Sequence, residues 1–331
     1  MPAPFSVVVN PQALARTGPP HFSPTGECIP DFTCVRELEH CQDRYARVAG
    51  LDGRAYGWTD SSNLATFCKD LERVGPDALP ASEPITIAPA WPALRRALAA
   101  TYNRIGGLLR RLAIEMLPAV AAEAGIASAL AVWYVESGGR GHTPGGAIIR
   151  FENHKFAEAW GNANADARAL YDAYFEHGGR NGVPGRPWQH HRFRPSKDEP
   201  MRPCHTDQSV EYEALETALG LAPEGIALRC LSIGGPQIVI ANHRLLGYAT
   251  PESMYRAFQG GEETHVLGFF DFCQYRNGFG SARRGALLRD LENRDWNAFA
   301  RRYNGPGQAA EYGERLRRAF LDASALLSAS A

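Results

Sequence analysis

Between residues 75 and 92 the chain carries five prolines, Pro76, Pro80, Pro84, Pro89 and Pro92. Each ring fixes φ and removes a backbone donor, so no regular helix runs through this stretch and no central strand can use it. The chain is therefore divided into a short front part, 1–80, and a long rear part, 81–331. Of its 331 residues 44% are hydrophobic and 21% charged, enough apolar material for one substantial core and a second, smaller one. Disorder of the whole chain is excluded.

Charge narrows the partners. Thirty-five basic residues stand against 36 acidic ones, which gives no global attraction to nucleic acid or to an anionic membrane. No run approaches the roughly 18 apolar residues of a membrane span. The N-terminus, Met1-Pro-Ala-Pro-Phe-Ser, lacks the charged and apolar regions of a signal peptide. The expectation is a chain made in the cytoplasm without an export signal. Its seven cysteines include Cys28, Cys34, Cys41 and Cys68 in the first quarter, at a spacing without the CxxC pairs of zinc knuckles. Buried thiols and two disulfides both stay open.

Residues 1 to about 30, rich in Pro, Gly and Ser, read as an irregular arm. From 31 to 68 short alternating apolar runs flank Asp52-Gly53, a hairpin signal. A Gly57-Trp-Thr turn before Asn63-Leu resembles SH3-like cell-wall modules over about 20 residues, so the front part reads as a small β module. Behind the prolines the pattern turns helical. Leu94, Leu98, Tyr102 and Ile105 share a face, Gly106-Gly107 interrupts, and Leu108, Leu109, Leu112 and Met116 resume. Gly125 reads as a further stop. The expected helices are 93–105, 108–116, 119–137, 209–219, 251–276, 283–292, 296–303 and 309–326.

The most informative segment is Ala127-Ser-Ala-Leu-Ala-Val-Trp-Tyr-Val-Glu-Ser-Gly-Gly. Ala129, Val132, Trp133 and Glu136 fall on one helix face, so an acid ends an apolar stripe. Poor hydration there disfavours the carboxylate, raises its pKa and keeps a proton available near neutrality.

Three further blocks follow in order: Ile148-Ile-Arg-Phe-Glu-Asn-His-Lys-Phe, Ser232-Ile-Gly-Gly-Pro-Gln-Ile-Val-Ile-Ala-Asn-His-Arg-Leu-Leu-Gly-Tyr, and Asp295-Trp-Asn-Ala-Phe-Ala-Arg-Arg-Tyr-Asn-Gly-Pro-Gly. Together with Val135-Glu-Ser-Gly-Gly they resemble the bacterial and phage N-acetylmuramidase family of the lysozyme-like superfamily, over about 118 to 320. The resemblance implies a mostly α, lysozyme-like helical domain with a small β element, preceded by a small N-terminal module. It implies an endolysin-like enzyme that cuts the β-1,4 bond between N-acetylmuramic acid and N-acetylglucosamine in peptidoglycan. Glu136 matches the family's catalytic Glu-Ser position.

Glu152 is the candidate second carboxylate, holding a water or an oxocarbenium-like charge; an ion pair with Arg150 or His154 is its other role. Asp295 reads as a helix N-cap. Ser232 and Gln237 resemble the Gly-x-x-Gln-Ile loop that lines the sugar cleft, although Ile233 stands where a Trp is frequent and Gly235-Pro236 replaces bulkier residues. Tyr303 and Asn304 resemble the superfamily's Tyr-Asn-Gly turn, where ring and amide face substrate. Local capping and core packing are the alternatives for all of these. The Gly-, Pro- and His-rich stretch 176–208 reads as a long loop that could cover a glycan cleft. Its His190, His191, Cys204 and His205 lack helical i, i+4 or CxxC spacing, so no metal is expected. No cofactor is implied, because carboxyl-driven glycoside hydrolysis needs only water.

The expected partner is the glycan strand of peptidoglycan, in the periplasm or wall of a target cell, with no nucleic acid partner. Two settings stay open: a phage endolysin, and a secreted antibacterial effector with delivery machinery and an immunity inhibitor. A lytic transglycosylase with a single acid and a non-catalytic murein-binding protein are the rival readings.

Overall fold

The computed structural model describes residues 5–10, 12–18, 24–42, 44–68, 83–279 and 284–329. The boundary expected near residue 80 lies outside them. The front part forms strands β1 (Phe5–Val8), β2 (Leu14–Arg16), β3 (Pro24–Cys28), β4 (Cys34–Cys41), β5 (Tyr45–Gly50), β6 (Ala55–Asp60) and β7 (Leu64–Ala65). They join one sheet in the order β3-β2-β6-β5-β4-β1-β7. The turn at Asp52-Gly53 makes the expected hairpin, with β5 and β6 antiparallel. The irregular arm is a correction. β1, β2 and β3 lie within residues 1 to 30. β1 pairs with β4 and β7 and β2 with β6, far along the chain, and β3 pairs with β2, so long-range ladders organise a stretch without local periodicity.

The sheet is stitched to the rear part. Val7, Val9, Ala65 and Phe67 cluster with Tyr275, whose hydroxyl donates to the Thr66 carbonyl at 2.7 Å. The Cys68 amide donates to Asp271 Oδ1 at 2.6 Å.

The rear part is mostly helical, as expected. It begins with α1 (Ala93–Met116) and α2 (Ala122–Ser137), then short strands β8 (His142–Thr143), β9 (Gly146–Ala147) and β10 (Ile149–Phe151). Next come α3 (Asn153–Phe156), which continues as a π turn to Gly161, α4 (Ala165–Tyr174), and strands β11 (Phe175–Glu176), β12 (Arg192–Phe193) and β13 (Arg202–Pro203). Then follow α5 (Gln208–Leu219), α6 (Glu224–Arg229), β14 (Leu231–Ile233) and β15 (Ile238–Val239). The chain closes with α7 (Pro251–Gln259), α8 (Glu262–Tyr275), α9 (Ala286–Asn293), α10 (Trp296–Tyr303) and α11 (Ala309–Ser328). Among the described residues no helix is long and apolar enough to cross a membrane.

Three helix expectations are corrected. Gly106-Gly107 does not interrupt α1, which runs through them; Ile105, Gly106 and Leu109 are all buried, and packing outweighs the roughly 1 kcal/mol cost of each glycine. Gly125 is no stop either. It lies inside α2, and a methyl group there would come within 2.9 Å of Ala113 Cβ, so this glycine lets α2 approach α1. The single helix expected over 251–276 is two, α7 and α8, broken at Gly260-Gly261.

In the core α2 is buried almost all round, with Ile126 through Trp133 inaccessible. α1 and α11 pack along it. Strands β10, β14 and β15 form a small antiparallel sheet in which Arg150 pairs with Ser232 and Ile149 with Ile233. Phe151, Phe156, Tyr171, Phe175 and Phe193 bury their rings side by side, each contributing about 1.5–3 kcal/mol by its removal from water. This aromatic block anchors the stretch between α4 and α5.

Candidate functional site

Glu136 occupies the last turn of α2. The helix stops because Gly138 takes a left-handed conformation (φ 65°) and its amide returns to Tyr134, while the Gly139 amide returns to Trp133. α1 holds this stop from the side: Thr101 Oγ1 and an Arg104 guanidinium nitrogen donate to the Gly139 carbonyl at 2.7 and 2.6 Å. The acid is therefore mounted on a buried helix whose end is fixed by a second one.

Two other elements converge there. The loop after β14 passes directly over the Trp133 ring, three residues before Glu136. A side-chain carbon at Gly235 would lie 2.1 Å from Trp133 Nε1, so only glycine fits. The end of α10 arrives from the other side. The Tyr303 hydroxyl donates to the Pro236 carbonyl at 2.7 Å, and Asn304 Nδ2 donates to Glu136 Oε1 at 2.9 Å. The Asp295 side chain accepts from the Ala298 amide and caps α10, the role read for it from sequence. From α11, Arg315 donates to the Val135 carbonyl at 3.2 Å.

Glu136 is half-buried, with protein on most sides and an open face. Burial pushes its pKa up to about 7, against the Asn304 hydrogen bond and the charges of Arg315 and Arg150, which pull it down. The proton follows from the hydrogen bonding. Oε1 accepts from Asn304, so the hydroxyl of the protonated acid belongs on Oε2.

Of the other residues expected at the site, Tyr303 and Asn304 join Glu136 directly. Tyr303 is buried, with its hydroxyl spent on Pro236. Ser232 is buried in β14 opposite Arg150. Gln237, at φ 49°, turns its amide inward to the Gly234 and Ile148 carbonyls at 2.9 and 3.3 Å, and so fixes the loop that crosses Trp133.

Glu152 is nearly buried. Its Oε1 meets Arg150 Nε at 3.2 Å, and its Oε2 lies 3.6 Å from His154 Nδ1 and 3.9 Å from His191 Nδ1. Burial raises its pKa, opposed first by Arg150. The Arg150 contact is the ion pair weighed from sequence as its other role; burial holds His154 and His191 well below the usual imidazole range, so they face Glu152 as neutral rings. Arg150 links the two acids, because its charge acts on both.

The stretch 176–208 is long and tied down. The Asn153 amide donates to the Glu176 and Arg192 carbonyls at 2.9 and 2.8 Å. Trp188, at its outer bend, is 44% exposed, and a methyl group at Gly307 would lie 3.9 Å from its ring. Gly307 is three residues past Asn304, so an accessible aromatic face stands beside the Asn304 turn.

Sequence reasoning missed Trp188, Arg315 and the contact between Trp133 and Gly235. Only Gly235 left a trace, as a departure from the family's bulkier wording. Arg315 sits 179 positions from Glu136 (315 − 136), and nothing local marks it.

A family model described as N-acetylmuramidase matches residues 125–324. Among solved structures, the crystal structure of a Burkholderia AP3 phage endolysin is 22% identical, over 68% of this chain and 71% of that one, at a TM-score of 0.44. No curated protein matches.

Proposed function

The chain belongs to the N-acetylmuramidase family and is a peptidoglycan hydrolase, and we propose that it cleaves the β-1,4 bond between N-acetylmuramic acid and N-acetylglucosamine with Glu136 as proton donor. The observation that carries this reading is the Glu136 carboxyl itself, half-buried, held by Asn304 and raised to about 7. A sugar alkoxide is a poor leaving group. A carboxylic acid still protonated near neutrality supplies the missing proton as the bond stretches, an effect of roughly 10²–10⁴-fold. Arg150 and Arg315 then face a carboxylate, and their charge stabilises it until it is reprotonated.

In the hydrolytic reading Glu152 is the second carboxylate, coupled to Glu136 through Arg150, and it orients water or balances the oxocarbenium-like charge. Asn304 holds the acid, Ser232 and Gln237 maintain the cleft wall, and Tyr303 supports the loop. A second reading, a lytic transglycosylase, needs only the one acid and lets a substrate hydroxyl close on the anomeric carbon. It is favoured by the engagement of both Glu152 oxygens with Arg150 and the histidines.

Purified sacculi, digested and analysed by mass spectrometry, separate the two. Reducing N-acetylmuramic acid ends support hydrolysis, and 1,6-anhydro ends support the transglycosylase. Under hydrolysis Glu152→Gln loses activity with its melting midpoint kept, whereas a single-acid reaction loses activity only as far as the fold is weakened. Glu136→Gln abolishes either; unchanged activity in that variant sinks the enzymatic reading and leaves a murein-binding protein. The biological setting we propose is delivery to the wall of a target cell, as an endolysin or as a secreted effector with an inhibitor in the producing cell. Co-purification of an inhibitor from the producing cell would favour the effector.

A further inference from the structure

Glu152, His154 and His191 come from two separate segments, yet their ligand atoms all lie within 4.8 Å of one another. His205 extends the group. Its Nε2 is 2.8 Å from His191 Nδ1, and its Nδ1 is 2.7 Å from Glu211 Oε1. Glu152, His191 and Glu211 are buried, His154 is mostly so, and His205 stands at the exposed edge of the group.

The hydrogen-bond partners set how the His191 ring presents its nitrogens. Its Nε2 donates to the Pro187 carbonyl at 3.0 Å and lies 3.3 Å from His154 Nδ1, so in the neutral ring Nδ1 presents its lone pair on the side of Glu152 and His205. Two imidazole rings and a carboxylate oxygen within reach of one another form the donor set of a divalent transition metal, and mixed imidazole and carboxylate ligation suits zinc.

We propose that this cluster is a zinc site, with Glu152 Oε2, His154 Nδ1 and His191 Nδ1 as ligands and water completing the sphere. Neighbouring donors in a tetrahedral zinc site are about 3.3 Å apart. The Glu152 oxygen stands 3.6 and 3.9 Å from the two ring nitrogens, close to that value. The outer partners are those that orient metal ligands: His205 and the Pro187 carbonyl beside His191, and Arg150 on the other oxygen of Glu152. The ion fastens two stretches that are distant in sequence, the turn from β10 into α3 and the Trp188 loop, and its role is structural. With Oε2 on the ion and Oε1 on Arg150, Glu152 has no oxygen left for a water or an oxocarbenium-like charge, so the inference goes with the single-acid reading of the reaction.

The test uses the full chain, stripped with a chelator and dialysed. Titration with Zn²⁺ alone is expected to show one tight site per chain. Free Zn²⁺ about a hundredfold above Kd is expected to raise the melting midpoint of the full chain by about 4 °C. Co²⁺ is expected to give the visible absorption of a four-coordinate nitrogen and oxygen site, without the charge-transfer band that cysteine ligation would add. His154→Ala and His191→Gln lose the site, and His205→Ala weakens it by about 10–100-fold. Exposed His190→Ala and Glu136→Gln bind as the parent does, so failure of the site and failure of the proton-donor assignment are seen separately. Stoichiometric binding absent from the parent chain, thiolate bands with Co²⁺, or full affinity in His154→Ala each overturn the proposal. The Co²⁺ spectrum of the unaltered protein decides even if a variant fails to fold.

Discussion

Asn304 donates to Glu136 Oε1 at 2.9 Å across 168 residues, so the turn after α10 controls the protonation of an acid on α2. This hydrogen bond favours the carboxylate and holds the pKa down. Asn304→Ala should therefore raise the Glu136 pKa further while releasing the carboxyl from its orientation. A hydrogen bond to a charged group is worth about 1.5–3 kcal/mol, so activity on sacculi is expected to fall by about tenfold or more. The alkaline limb of its pH profile should move upward, a displacement that simple destabilisation does not produce.

The pH dependence of the parent enzyme follows from the same carboxyl. A proton donor is active when protonated, so kcat/KM should decline as pH rises through about 7. The stability consequence has the matching sign. The folded pKa lies above the unfolded value of about 4.5, so the folded state binds the extra proton between those values and loses stability as pH rises from about 4.5 to about 7. Glu136→Gln removes the penalty. Its melting midpoint should exceed that of the parent at pH 8, with the difference vanishing near pH 4, while its activity falls by about 10²–10⁴-fold.

Gly235 is the tightest point of the site. Because a side-chain carbon there would occupy the Trp133 ring, Gly235→Ala must push the loop away or displace Trp133 in the core. We expect a loss of about 1–3 kcal/mol in denaturant unfolding and a fall in kcat larger than any change in KM, since Trp133 and Glu136 share a helix face.

Tyr303→Phe distinguishes support from contact. The hydroxyl is buried and bonded to Pro236, so its removal should cost about 1 kcal/mol of stability and leave KM for soluble glycan fragments unchanged. A several-fold rise in KM with no loss of stability would instead place this hydroxyl against substrate.

Trp188 offers an accessible ring beside the Asn304 turn. Trp188→Ala should weaken binding to sacculi by about threefold to tenfold, the scale of an aromatic contact worth about 0.5–1.5 kcal/mol. The melting midpoint should move little, because the ring is exposed. Co-sedimentation of the Glu136→Gln background with sacculi measures this without turnover.

Helices were legible where apolar spacing and caps agreed. The Asp295 cap and the period Trp296, Phe299, Tyr303 mark α10, and Gly138 marks the end of α2. The glycine pairs misled in both directions. Gly106-Gly107 is carried inside α1 by tertiary packing, while Gly260-Gly261 does break its segment. Strands β1 and β2 were illegible because their ladders reach partners across the module, and β3 forms only on β2. At the site, the acid could be read because one helix supplies both its apolar stripe and its stop. Its surroundings could not, because Asn304, Arg150 and Arg315 come from three other elements. The histidines escaped spacing rules for the same reason: His190 is exposed, the Cys204 thiol turns to Asn153, and Glu152 and His154 join from upstream.

The seam at Tyr275 bears on how such a protein can be re-engineered. Phe67 rests on that ring, Thr66 takes its hydroxyl, and Cys68 is tied to Asp271. A chimera that exchanges the front sheet for another module by cutting before residue 64 keeps these staples. A cut among the prolines strips α8 of its cover and leaves a sticky aromatic scar.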